Sequence, residues 1–124
     1  MPQTANTKPR AVGNIEKFVE PCILLLLSRK PSHGYGLMDG LENQCGHRID
    51  IGNLYRTLRQ MEKHRWIVSD WQKNTIGPDK RIYKITPNGV AILHEAASTL
   101  QTTHRLLSRF LNGYNKMYGK GVTV

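Results

Sequence analysis

The sequence predicts a mostly α-helical fold with a small β-hairpin, extended by one long C-terminal helix. Three observations carry this. Apolar residues recur at helical spacing in short segments between Ile15 and Lys63. The spacing changes to strict alternation between Trp66 and Ile85, and from Leu93 onward leucines and then a tyrosine return every seven residues.

Residues 1–13 are polar and carry Pro2, Lys8, Pro9 and Arg10, so a disordered arm is expected there, with or without phosphate contacts of its own. The first helix is expected over Ile15–Arg29. Pro21 either opens its main part, where a missing N–H costs little, or kinks it. The run from Cys22 to Leu27 is apolar all round, which suits a central, buried helix. Pro31 ends it, because the residue before a proline avoids the helical region, and Ser32 is the expected cap of the next. That second helix is expected over His33–Asn43, with Leu37, Met38 and Leu41 inward and Gly46 as terminator.

Asp50 begins the third helix, its carboxylate placed to accept from the free N–H groups of the first turn. Leu54, Leu58 and Met61 follow at i, i+4 and i+7 on one face, and Asn53, Arg56, Thr57, Gln60 and His64 fall opposite. Trp66, Val68 and Asp70 then alternate with Ile67, Ser69 and Trp71. "KNTIGPDK" makes a turn about Gly77-Pro78-Asp79, and "RIYKI" (Arg81 to Ile85) returns as the second strand. "TPNG" starts the last helix, with Thr86 as cap and Pro87 at the first position.

In that helix Leu93, Leu100, Leu107 and Tyr114 mark the heptad, with Ala96/Ala97, Thr103/His104, Phe110/Leu111 and Met117/Tyr118 between. A helix of about 30 residues cannot bury such a seam on a three-helix core, so the seam needs a second copy or must fold back on its own domain. Thr103/His104 is its weak point, and Gly113 can end or bend the helix. A dimer interface is expected at Leu93, Ala97, Leu100, Leu107, Phe110, Leu111 and Tyr114.

Composition narrows the function classes. The 124 residues suit one domain, 39% apolar content supports a modest core, and 22% charged residues is ordinary. The balance is not ordinary: 18 Lys and Arg against nine Asp and Glu give +9, which points to nucleic acid or another anionic surface. Cys22 and Cys45 make no disulfide framework, and Cys22 reads as a small core residue. The N-terminal stretch lacks the apolar core of a signal peptide, and "ILLLL" is too short to span a bilayer, so a cytoplasmic protein without membrane insertion is expected. Cys45 and His47 are the closest Cys/His pair, and no second pair stands at zinc-ligand spacing. With no phosphate-binding loop or nucleophile motif either, no catalytic residue, metal or cofactor is expected.

Helix, helix, helix, basic hairpin and long helix is the order of a winged helix-turn-helix. Three motifs sharpen that: "HGYGLM" (His33 to Met38), "GNLYRTLRQMEK" (Gly52 to Lys63) and "GPDKRIYKITPNG" (Gly77 to Gly89). Together, over about Pro21 to Leu93, the chain resembles the PadR family of transcriptional regulators. It departs from the family at Arg65-Trp66, where a small residue, often glycine, usually follows the recognition helix. The wording of the last two motifs also resembles a subgroup of poly-β-hydroxybutyrate-responsive repressors. The resulting division is an arm at 1–13, a winged helix-turn-helix DNA-binding domain at 14–86, a dimerisation helix at 87–118 and a flexible tail at 119–124.

On this reading the third helix enters the major groove, where each base pair shows its own donor and acceptor pattern. Asn53 and Arg56 are the leading base-edge candidates, Asn53 for adenine and Arg56 for guanine, because N-terminal residues of recognition helices point into the groove. Gln60 ranks second, and Thr57 suits a thymine methyl or a phosphate. Arg59 and Lys63 suit phosphate or water. Lys80 and Arg81 at the hairpin tip, with Lys73 on its way up, suit phosphates or a minor groove.

The resemblance implies a backbone contact for Tyr35. It leaves Tyr55 either packed on the second helix with its hydroxyl on a phosphate, or in the core. It further implies a homodimer on a pseudo-palindromic operator, acting as a repressor, and an effector pocket near the dimer core. Trp66, Trp71, Phe110, Tyr114 and Tyr118 are the aromatics that can line one, and the subgroup's effector would be a hydrophobic polyester or its granule surface. The competing reading is a winged-helix module for protein–protein or granule-surface association, its basic charge incidental; RNA binding is a lesser third.

Overall fold

A computed structural model describes residues 18–73 and 76–119. Its elements are α1 (Val19–Arg29), β1 (Ser32–His33), α2 (Gly34–Cys45), α3 (Ile51–Lys63), β2 (Ile67–Gln72), β3 (Lys80–Ile85) and α4 (Pro87–Tyr118). The expected arm at 1–13, residues 14–17 and tail residues 120–124 lie outside the described residues.

Pro21 is the third residue of α1, so it opens the helix rather than kinking it. Val19, Cys22, Ile23, Leu24 and Leu27 are buried, but Leu25 faces outward, so the helix is not buried all round as its composition suggests. α1 nonetheless runs through the centre, packed against α2, β3 and α4.

The expected cap at Ser32 is corrected. His33 holds the capping position of α2 with no side-chain cap bond, and Ser32 and His33 instead run extended. They pair antiparallel with β3 (Ser32 with Tyr83, His33 with Ile82), so the hairpin becomes a three-stranded sheet of order β1-β3-β2. The physical reason is that β3 would otherwise offer an unpaired edge, and the extended residues after Pro31 satisfy it. α2 ends as expected: Gly46 takes φ 65°, and the N–H groups of Gly46 and His47 both donate to the Leu41 carbonyl.

α3 buries Leu54, Leu58 and Met61 completely. Each such side chain contributes roughly 1.5–3 kcal/mol on leaving water, which fixes which way the helix faces. Its C-terminal end explains the departure at Arg65-Trp66. Arg65 N–H donates to Glu62 O (2.9 Å) and Trp66 N–H to Met61 O (3.0 Å), a Schellman ending with arginine in the glycine's place at φ 63°. Trp66 therefore belongs to the turn, and the strand starts one residue later than the alternation suggested, at Ile67. In the sheet, Ile67 lies opposite Ile85 and Ser69 opposite Tyr83, and Ile67 and Tyr83 are buried on the core side.

The start of α4 is joined to that turn. Thr86 Oγ1 accepts from Gly89 N–H at 2.9 Å and lies 2.7 and 3.0 Å from the carbonyl oxygens of Arg65 and Trp66. The Thr86 N–H also donates to Trp66 O at 3.0 Å. A Cβ at position 89 would overlap that same carbonyl, so only glycine fits. α4 then runs unbroken for 32 residues through Gly113, about 48 Å at 1.5 Å per residue. Thr103 is buried, with its hydroxyl 3.1 Å from the Thr99 carbonyl within the helix, while His104 beside it is exposed. Beyond it Leu106, Leu107, Phe110, Tyr114, Met117 and Tyr118 are exposed, and Leu111 is half-buried. Among the described residues no helix is long and apolar enough to cross a membrane.

Candidate nucleic-acid interface

The outward edge of α3, the start of α2 and the β2–β3 wing meet around one open cleft of about 710 Å³. His33 to Gly36 line one side, Tyr55, Arg59 and Glu62 the floor, and Trp71, Tyr83 and Pro78 to Arg81 the wing side. Tyr35, Arg59 and Lys80 are all exposed.

The N-terminus of α3 is internally wired. Asp50 caps it by accepting from the Asn53 N–H (2.9 Å) and also takes the Asn53 side-chain amide (2.6 Å). The backbone N–H of Asn53 in turn holds the Asp50 carboxyl below the usual carboxylate range. Asn53 Oδ1 then accepts from the Arg56 guanidinium. In the free chain, therefore, Asn53 has both ends of its amide engaged, whereas Arg56, with five donor hydrogens, keeps most of its fork unspent. The structure thus separates two residues that the sequence ranked together. Thr57 is half-buried beside them, and Gln60 and Lys63 are exposed further along.

Tyr55 is half-buried and packs on α2. A Cβ at Gly34 would overlap its hydroxyl, so Gly34 is what lets the ring lie against the start of α2 with its oxygen in the cleft.

The wing differs from expectation in its charges. Lys80 opens β3 opposite Gln72, below the tip rather than on it, and is exposed. Arg81 faces inward, half-buried: its Nε donates to Ser69 Oγ (2.8 Å), Ser69 donates to Glu62 Oε2 (2.6 Å), and the guanidinium lies 5.1 Å from the centre of the Trp71 ring. This chain braces the wing against α3. A second clasp joins His33 Nε2 to Gln72 Oε1 at 2.9 Å, tying the wing to the start of α2. Sequence reasoning missed both. The only signal was that Ser69 and Arg81 share the inward phase of their strands with Ile67, Tyr83 and Ile85.

The five aromatics considered for an effector do not converge within one chain. Trp71 lies in the cleft and Trp66 stacks on His64 at 4.9 Å. Phe110, Tyr114 and Tyr118 form a row along α4, with successive ring centres 6.5 and 5.3 Å apart. No cluster of three or more metal-ligating side chains occurs among the described residues.

A helix held by a buried apolar back, a preceding helix meeting it at a glycine contact, and a wing braced to both define a winged helix-turn-helix protein. The comparisons with known proteins agree. A model of the transcriptional regulator PadR-like family matches residues 23–95, and the chain belongs to that family. Transcriptional regulator Rv3488 of Mycobacterium tuberculosis (strain ATCC 25618 / H37Rv) is 34% identical over 89 residues, covering 72% of this chain and 78% of that protein. The crystal structure of TM0937, a potential transcriptional factor, aligns at TM-score 0.72 and 30% identity over 87% of this chain and 96% of its own. Bacillus subtilis PadR, solved in complex with operator DNA, shares the fold at TM-score 0.60 and 19% identity; the match covers 65% of this chain and 46% of that one. The relatives are regulators, not enzymes.

Proposed function

We propose that the protein is a homodimeric, sequence-specific repressor in the cytoplasm, with α3 in the major groove of a pseudo-palindromic operator. The observation that carries this is the cleft: one surface brings the unburied edge of α3, the start of α2 and the wing to a common face, on a chain of net charge +9. The complex of Bacillus subtilis PadR with operator DNA supports the same use of this fold. Arg56 reads a base edge, with Asn53 orienting it and Gln60 and Thr57 contacting bases or phosphates beside it. Tyr35, Tyr55, Arg59, Lys63 and Lys80 bind the backbone. Arg81 acts mainly by holding the wing, its remaining N–H groups serving phosphate.

Dimerisation through α4 follows from the exposed stretch beyond Thr103, and a hydrophobic effector suits the aromatic row beside it. The same apolar surface also favours the second reading, an association module without sequence-specific DNA binding. Titration against random and operator-like duplexes at two salt concentrations separates them. The repressor binds and weakens steeply with salt, because each neutralised phosphate releases counterion. Absent or salt-independent binding would overturn it. Leu100→Asp and Leu107→Asp each yield folded monomers by sedimentation, and dimers surviving both changes would place the seam elsewhere.

A further inference from the structure

Away from the cleft, α1, the end of α2 and the first half of α4 enclose a second, mainly apolar groove of about 550 Å³. Its walls include Leu25, Leu93, Ala97 and Leu100, the last three also residues of the proposed dimer seam, so the groove borders that seam, and both cysteines line it. Cys22 comes from the buried side of α1 and Cys45 is the last residue of α2, half-buried, with both thiols free. The two side chains lie within hydrogen-bonding reach of each other although 22 residues separate them in sequence. None of the groove-lining residues lines the cleft of α3 and the wing.

We infer that Cys22 and Cys45 form a reversible dithiol–disulfide site in this groove, responsive to peroxides and other small two-electron oxidants. The placement assigns the two sulfurs different parts. Cys45 opens to the groove and reacts first: its sulfur attacks the peroxide, the S–O bond forms as the O–O bond breaks, and one water leaves. Cys22 sulfur then attacks Cys45 sulfur, the S–S bond forms, and the oxygen departs with the Cys22 proton as a second water. Two electrons pass from the two sulfurs to the peroxide. Burial, and next the neighbouring Cys45 thiol, push the Cys22 thiol up to about 12, so Cys22 stays protonated and is not the sulfur that meets the oxidant first.

The mechanics favour closure. Cys45 is the last residue of α2 and precedes Gly46 in the left-handed conformation, so the closing bond would form at the end of the helix rather than within it. The bond would fasten α1 to the end of α2, where Arg29 already donates to Gln44. This inference does not depend on the DNA-binding reading.

The test treats the full chain, in its native assembly, with hydrogen peroxide and separately with diamide. The expected product has lost the mass of two hydrogens and yields one peptide pair joined through Cys22 and Cys45. Its thermal midpoint is several degrees higher, since the link restrains the unfolded chain, and dithiothreitol reverses all three changes. Cys45→Ser and Cys22→Ala each abolish the linked pair. Four outcomes would overturn the proposal: no mass loss, a cross-link only between chains, Cys45 oxidised to sulfinic acid with no linked pair, or a midpoint that falls on oxidation.

Discussion

Along α3, Leu54, Leu58 and Met61 lose all exposure, whereas along α4 the equally regular Leu107 keeps 40% and Phe110 67%. Both segments announce an amphipathic helix through the same spacing of apolar residues. The difference lies in what their own chain offers. α3 meets α2 and the sheet, but α4 runs past the end of the core after Thr103. A helical stripe therefore states that a face will be covered, and the size of the remaining core decides whether the chain itself can do it.

That contrast can be broken by cutting equal pieces from the two faces. Leu58→Ala should cost about 2–5 kcal/mol in chemical denaturation, the range for emptying a closed apolar site. Leu107→Ala should change the stability of the monomer by only about 0.5 kcal/mol, its effect appearing in the dimer equilibrium by sedimentation. Equal losses in monomer stability would mean that α4 is covered within its own chain.

On the opposite edge of α3, Arg56→Ala should lower specific affinity by roughly 1–3 kcal/mol and relax preference at one base pair. Lys80→Ala should weaken all duplexes alike. If the two variants behave the same in a binding titration, reader and wing have been assigned wrongly.

Smaller again is the turn at the end of α3. Arg65→Gly should raise stability by up to about 1 kcal/mol in thermal denaturation, since glycine takes φ 63° without strain and offsets its own extra chain entropy. The smallest effect is a pH dependence. The Asp50 carboxyl is held below its ordinary value in the folded chain. Its contribution is therefore present above the unfolded carboxylate range and disappears as pH falls through the folded value. Asp50→Ala should melt lower than the parent at neutral pH, and the two melting curves should converge in acid.

Much of the scaffold was legible because local chemistry dictates it. Asp50, Thr86, Pro87 and Gly46 mark helix ends through hydrogen bonds or backbone freedom that operate over three or four residues. What stayed hidden depends on partners distant in sequence. Ser32 looks like a cap until β3 supplies a strand edge. Arg81 looks like a free cation until Ser69 and Glu62 take hold of it. Asn53 and Arg56 share a helical face in any reading, yet only their mutual hydrogen bond separates the orienting side chain from the one with donors to spare.

The joint of Arg65, Trp66 and Thr86 gives the molecule a mechanical property. The residues that end α3 are bonded directly to the residues that begin α4, and Gly89 lets the two backbones touch. α3 and α4 are thus joined by a bonded corner rather than by a loose linker. In the proposed two-fold pair built on α4, such a joint would fix the distance between the two copies of α3, like calipers locked at one setting. Operators whose half-sites are spaced one base pair too near or too far would be rejected by geometry before any base is read. A ligand that tilts the far end of α4 would turn an arm about 48 Å long, and so reset the calipers from a distance.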